Sequence, residues 1–348
     1  NRQAARAGHA ARTPMRGGGW KTFQRPDNHC LDASVFNGSR RPRPRPIPQS
    51  LHALFDKATA PLAHGIRVDP QTRGTGLGRE MTHAYARLGA ETVICGRRLA
   101  VLQETAKEIE GETGSRCTPI ACDIRVADAI DDMMTCIWNE GPLTGLVNNA
   151  AGNFISRTKD LSPRGFDAIA NIVFHGTFYM TLAAGKRWIA DGLKGSIVNI
   201  LTTWVWNGSP YTVPSAMSKA GINVMGQSLA VEWGPYGIRV NSICPGAFPT
   251  EGMSARLNPG QGAKAYSDMS ANPLGRVGQM EELTNLATFL MADGCDYLTG
   301  QTIAIDGAQY QATGGNFSRM SGLTDADWEN IRGMIKASNE KDRAKRAV

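Results

Sequence analysis

From about residue 70 to residue 310, short apolar runs alternate with segments of helical periodicity, and no other feature limits the possible folds as much. Leu77, Met81, Ala84 and Leu88 repeat at 4-3-4 spacing, which is one face of a helix, and Leu99, Leu102, Ala106 and Ile109 repeat at 3-4-3. Further helices are expected through Ile130–Trp138, from Ser162-Pro163 through Met180, around Ile222, Met225 and Leu229, and around Leu283, Leu286, Ala287 and Leu290. The Ser162-Pro163 pair is a side-chain cap followed by a first-turn proline. Between them lie β-rich runs at Glu91–Cys95, Pro119–Cys122, Leu146–Val147, Ser196–Leu201, Val240–Cys244 and Thr302–Asp306. Strands that are largely apolar on both faces, each followed by a helix, predict a parallel sheet covered on both sides.

Right-handed crossovers make such a chain an α/β fold of three layers, a doubly wound parallel sheet of the Rossmann type in a single domain, with its ligand at the carboxyl ends of the strands. A hydrophobic fraction of 41% over 348 residues is enough for one large core. No apolar run approaches the ~18–20 residues of a membrane span. The formal net charge is +7, but residues 1–50 carry +8 of it and leave the rest at −1, so the body has no electrostatic claim on nucleic acid. That leader contains the run Arg41-Pro42-Arg43-Pro44-Arg45-Pro46, which cannot supply a backbone donor at every position. The expectation is a disordered basic, Pro-rich leader over 1–50, a Rossmann-type domain over 51–312 and a tail over 313–348. The tail would hold one polar helix, capped by Thr324, with Asp325 and Asp327 at its start and Lys341, Arg343, Lys345 and Arg346 at its end. The leader is Arg-rich with no acid before Asp27, a composition shared with organelle import segments. The seven cysteines are scattered, with no CxxC and no Cys/His cluster, which favours free thiols, a cytoplasmic setting and no metal.

Gly74-Thr75-Gly76-Leu77-Gly78 stands where a first strand gives way to the first helix. Glycines there let the backbone approach a pyrophosphate, and the helix N-terminus stabilises its charge. The preceding run, Ile66-Arg67-Val68-Asp69-Pro70, carries two charges and a proline, which is poor material for a central strand. The second apolar run ends in Cys95-Gly96-Arg97-Arg98. A carboxylate at that place would bind the 2′-hydroxyl of NAD; two guanidinium groups instead match a 2′-phosphate, so the expected cofactor is NADPH.

Several ordered motifs then become specific. Asn148-Asn149-Ala150-Ala151-Gly152 follows the fourth strand, Lys219 sits in Ser215-Ala216-Met217-Ser218-Lys219 at the start of a helix, and Pro245-Gly246-Ala247-Phe248-Pro249-Thr250 follows the sixth strand. Across roughly residues 72–310 these resemble the short-chain dehydrogenase/reductase family. Gly76 and Gly78 match that family's Gly-x-x-x-Gly-x-Gly pattern, whereas Thr72 occupies its first glycine position. Within the family the chain is similar to the 2,4-dienoyl-CoA reductases: Asn153-Phe154 directly follows the Asn-Asn-Ala-Ala-Gly run, and the usual Tyr-x-x-x-Lys appears as Ser215-x-x-x-Lys219.

The resemblance implies NADPH-dependent reduction of an acyl-CoA substrate, with Lys219, Ser215, Asn153, Thr202 and Tyr211 as the catalytic candidates. For the cofactor it implies Gly74, Gly76, Leu77, Gly78, Arg97, Arg98, Asp123, Asn149, Ala150, Lys219, Pro245, Gly246 and Thr250, and for the substrate Asn153, Phe154, Trp204 and Arg256. It also implies a homo-oligomer, a tetramer packed through the long helices. A ketone reductase needs an acid to protonate an alkoxide, the role of the tyrosine that is missing here. Adding hydride to a conjugated thioester instead spreads charge onto the thioester oxygen, which needs hydrogen-bond donors such as Asn153 and Ser215. The tyrosine that mitochondrial-type dienoyl-CoA reductases carry eleven residues before the serine is replaced by Trp204, whose indole N–H can donate a hydrogen bond but cannot serve as a proton source, which leaves Tyr211 or an ordered water as the expected proton donor. Tyr211 or His175 would serve as the acid if the chain were instead a carbonyl reductase or alcohol dehydrogenase. Thr72, Asp69-Pro70 and the lost tyrosine also suit a non-enzymatic binding protein on the same fold.

Overall fold

The computed structural model describes residues 64–67, 76–250, 272–314 and 322–346. The basic leader, Thr72, Gly74, the Asp69-Pro70 pair and Arg256 lie outside these residues. Seven strands form one wholly parallel sheet: β1 His64–Arg67, β2 Thr92–Gly96, β3 Cys117–Ala121, β4 Gly145–Asn148, β5 Gly195–Ile200, β6 Ile238–Pro245 and β7 Thr302–Ile305. Their order across the sheet is β3-β2-β1-β4-β5-β6-β7. The order reverses at β1, which makes the crevice between β1 and β4 the topological switch point for ligand binding.

Of the run over residues 66–70, only Ile66 and Arg67 belong to β1, which starts earlier, at His64. The strand is only four residues long, pairing His64 with Thr92 on one side and with Gly145 on the other. It stops at Arg67, before Asp69 and Pro70, and Arg67 pairs only with Cys95 of β2. Pro119, by contrast, sits within β3, which is an edge strand where a missing N–H costs no ladder bond on the open side.

The helices are α1 Leu77–Arg87, α2 Leu99–Thr113, α3 Ala127–Glu140, α4 Pro163–Ala170, α5 Gly176–Asp191, α6 Trp204–Asn207, α7 Val213–Glu232, α8 Met280–Met291, α9 Gln309–Gly314 and α10 Asp325–Arg346. Ser162 Oγ accepts from the Gly165 N–H, 3.1 Å away, and Pro163 follows in the first turn, as the sequence predicts. A π turn, Asn171–His175, joins α4 to α5, and Gly192 in the left-handed region (φ 65°) ends the second of these. The tail helix α10 begins with reciprocal capping between Thr324 and Asp327. No helix among the described residues is long and apolar enough to cross a membrane.

Successive strand residues point to opposite faces, and the two cores follow that period. Val147, Val198 and Ile243 pack with Met81, Tyr85, Leu102, Ile109 and Leu283 on the α1–α2–α8 side. Leu146, Ile197 and Val240 pack with Ile130, Met134, Met180 and Trp188 on the α3–α5–α7 side. Trp188 is wholly buried, and its indole donates a 2.6 Å hydrogen bond to the Leu143 carbonyl. Trp188→Ala is therefore expected to cost about 3–5 kcal/mol through the cavity it opens, read as a lowered urea midpoint.

Candidate active site

The carboxyl ends of the strands open onto a cavity of about 520 Å³, within the usual range for a small-molecule site. Helix α7 delivers its central pair. Ser215 and Lys219 are four residues apart, so they share one face, and both are buried. The Lys219 ammonium donates to the carbonyl of Ala150, 3.0 Å away, and to that of Ile200. These carbonyls sit at the ends of neighbouring strands, just beyond β4 and at the last residue of β5. The same strand ends are tied by Asn148, whose Nδ2 donates to Thr181 Oγ1 and to Asn199 Oδ1, both at 2.9 Å. A buried ammonium needs such partners, because leaving it unpaired in a dry site is costly. Nearby, the buried Cys244 thiol is pushed up to about 12, chiefly by desolvation, with Lys219 pulling the other way.

Asn153, Thr202, Trp204, Ser215 and Lys219 all line this one cavity. The Ser215 and Asn153 side chains have no hydrogen bond to another described residue, so their donors are free to face a ligand. Gly76, Leu77, Gly78, Asn149, Pro245, Gly246 and Thr250 line it too. Ala150 contributes through its carbonyl, which holds Lys219, while its side chain is buried.

Other expected residues fall elsewhere. Tyr211 takes a positive φ of 66° and its side chain is 55% exposed; its carbonyl accepts from the Ser156 N–H, and it does not line the cavity. Tyr211 is thus not among the groups that line the cavity with Ser215 and Lys219. His175 is exposed on the π turn, 3.0 Å from Asn171 Oδ1, and is likewise outside the cavity. Phe154 does not line it either; it packs on the cluster of Ile169, Val173, Leu201, Ile222 and Cys244. Arg97 and Arg98 are exposed at the end of β2, where α2 begins. Asp123 is gripped by Arg125, whose Nε lies 2.9 Å from Oδ1, and the Asp123 carboxyl is held below its usual range first by that bond and further by Arg97.

Gln309, Tyr310 and Thr313 on α9 also line the cavity, and no motif announces them. The available signal was positional: they follow the carboxyl end of the last strand, the end at which such sheets bind ligands.

The arrangement fits a dinucleotide. Gly76, the N-cap of α1, offers no side-chain cap, which leaves the helix's first N–H groups open toward the cavity. The chain matches the family model described as enoyl-(acyl carrier protein) reductase over residues 72–308. It belongs to that family, within the short-chain dehydrogenases/reductases, and is an oxidoreductase. More particularly, it is 38% identical over 278 residues to a probable 2,4-dienoyl-CoA reductase, (3E)-enoyl-CoA-producing, of Caenorhabditis elegans, covering 78% of this chain and 89% of that one. It is 39% identical to a probable (2E)-enoyl-CoA-producing 2,4-dienoyl-CoA reductase of Bacillus subtilis, covering 68% of this chain and 93% of that one. A solved short-chain dehydrogenase from Bacillus anthracis superposes with a TM-score of 0.63 at 38% identity, covering 71% of this chain and 96% of that chain.

Proposed function

We propose that the protein uses NADPH to reduce 2,4-dienoyl-CoA thioesters, as in the removal of double bonds during unsaturated fatty-acid breakdown. The observation that carries this reading is the joint placement of Asn153, Ser215 and Lys219 on one cavity, with no tyrosine in the Tyr-x-x-x-Lys position. When bound, the dinucleotide supplies a hydride. The enolate-like anion left after hydride addition takes up a proton at carbon from a water molecule in the cavity, and the chain's own residues hold the substrate and its charge until then. Ser215 Oγ and Asn153 Nδ2 donate to the thioester oxygen, where negative charge collects once the far end of the diene is reduced, and these bonds strengthen as that charge develops. Lys219, held by the Ala150 and Ile200 carbonyls, adds a fixed positive field and a donor for the ribose hydroxyls. Trp204 closes the wall beside Thr202 and helps exclude bulk water. The exposed position of Tyr211 and His175 weighs against carbonyl reduction with either as acid. Adding a dienoyl-CoA to the protein with NADPH should consume the NADPH absorbance; no consumption contradicts the reading.

Arg97 and Arg98 give the site its preference for a 2′-phosphate. The Arg97→Ala/Arg98→Ala double variant is expected to raise the NADPH dissociation constant about tenfold or more and leave that of NADH nearly unchanged, measured by quenching of tryptophan fluorescence. Equal losses for both cofactors would remove these arginines from 2′-phosphate recognition. Phe174, Phe178, Val224 and Val231 are exposed on the π turn, α5 and α7, which supports a homo-oligomer, a tetramer in this reading, packed through the long helices.

A further inference from the structure

Two very short helices border the cavity beyond the catalytic pair: α6 after β5, and α9 after β7. In the sheet order these strands lie on the far side of β4 from the glycine turn that follows β1. A dinucleotide whose pyrophosphate rests at that turn extends its adenine half toward β2 and β3 and its nicotinamide half toward Lys219 and the Pro245-Gly246 turn, so the part of the cavity bordered by α6 and α9 is left for the substrate.

One contact joins α6 to α9. The rings of Trp206 and Tyr310 stack with centroids 4.6 Å apart and planes inclined by 22°. Tyr310 lines the cavity, whereas Trp206 does not and is 41% exposed, so the indole braces the phenol ring from outside. The backbone beneath Tyr310 is fixed as well. The buried Asp306 carboxylate accepts from the Ala308 N–H at 3.0 Å and from the Tyr310 N–H at 2.8 Å. Its own carbonyl accepts from Asn272 Nδ2 at 3.0 Å. Ala308 is held at a positive φ of 64°, a conformation that a non-glycine residue keeps only when its surroundings impose it. On the opposite side, a Cβ on Gly246 would lie 2.6 Å from Asp306 Cβ and 2.7 Å from its Cα, so the Pro245-Gly246 turn rests directly on this anchor. A ring pinned at its backbone and stacked on a second ring is a wall that does not move aside freely.

We propose that Tyr310, braced by Trp206, is the wall that limits how long an acyl chain the cavity accepts. The inference rests on the acyl-thioester reading of the site. A chain that ends short of the ring fits; a longer one must displace the stack. The pocket discriminates by volume, and each methylene in such a pocket is worth roughly 10-fold or more in kcat/KM.

The experiment measures kcat/KM of the full chain with NADPH on 2,4-dienoyl-CoA thioesters from six to sixteen carbons, for wild type, Tyr310→Ala, Trp206→Ala and Tyr310→Phe. Wild type is expected to fall off beyond some chain length. Tyr310→Ala should raise the long-to-short ratio about tenfold or more. Trp206→Ala should move it the same way by less, since the unbraced ring can yield. Tyr310→Phe, which keeps the ring, should retain the wild-type preference. Thermal melts and NADPH titration identify any variant that has merely lost its fold; in that case Tyr310→Leu, which shortens the wall but stays apolar, carries the test. An unchanged ratio in folded Tyr310→Ala or Tyr310→Leu overturns the proposal, as does a Phe variant that shifts as far as Ala or loses activity at every chain length. Absence of wild-type turnover on every dienoyl thioester would instead contradict the functional reading on which the wall depends.

Discussion

Lys219→Met is expected to lower kcat/KM by about a hundredfold or more, the usual scale for removing a preorganised charge or donor from a closed site. The side chain is buried, and its ammonium bridges the carbonyls of Ala150 and Ile200 at the ends of two adjacent strands. Methionine matches the stem but leaves both carbonyls without that donor. The variant should therefore also lose about 1–3 kcal/mol of stability, read from a denaturant midpoint at unchanged slope. The two losses are separable: activity is compared under conditions where both proteins are folded, and NADPH affinity is titrated beside it. If the folded Met variant reduces substrate at nearly the wild-type rate, Lys219 has no part in the chemistry.

Ser215→Ala and Asn153→Ala are each expected to cost about 10²-fold in kcat with little change in KM, because their hydrogen bonds matter most after charge has reached the thioester oxygen. Both side chains line the same cavity without another described partner, so neither deletion exposes a protein group that must then find a new one. If both donate to one oxygen, the double variant should fall well short of the product of the single losses. Independent, fully additive losses would mean that the two side chains serve different atoms. A rise in KM at constant kcat would place them in ground-state binding alone.

The sequence carried most of the sheet because its strands are buried on both faces and read as apolar runs; β4, β5 and β6 are buried along their whole length. The first strand was hard to read for the opposite reason. Its pairing uses only four residues, and one of them is the charged Arg67, so no apolar run marks it. Lys219 and Ser215 were legible because an i,i+4 pair on a helix fixes its own relative geometry. Direction within a loop is not fixed in that way. Tyr211 stands four residues before Ser215, yet it sits at a positive φ, is exposed and does not line the cavity. Phe154 adjoins Asn153 in sequence and points into the core instead of the cavity. Tyr310 reaches the site through Asp306, Asn272 and Trp206, which are contacts between segments far apart along the chain that no local spacing encodes.

In the proposed function this cavity stabilises a delocalised thioester anion and has a serine where a ketone reductase keeps its tyrosine. A direct comparison of kcat/KM with NADPH for a 2,4-dienoyl-CoA and a 3-oxoacyl-CoA of equal chain length tests it. Rapid turnover of the dienoyl thioester and little or none of the 3-oxo compound is expected; efficient reduction of the ketone with an inert dienoyl thioester would contradict the proposed function.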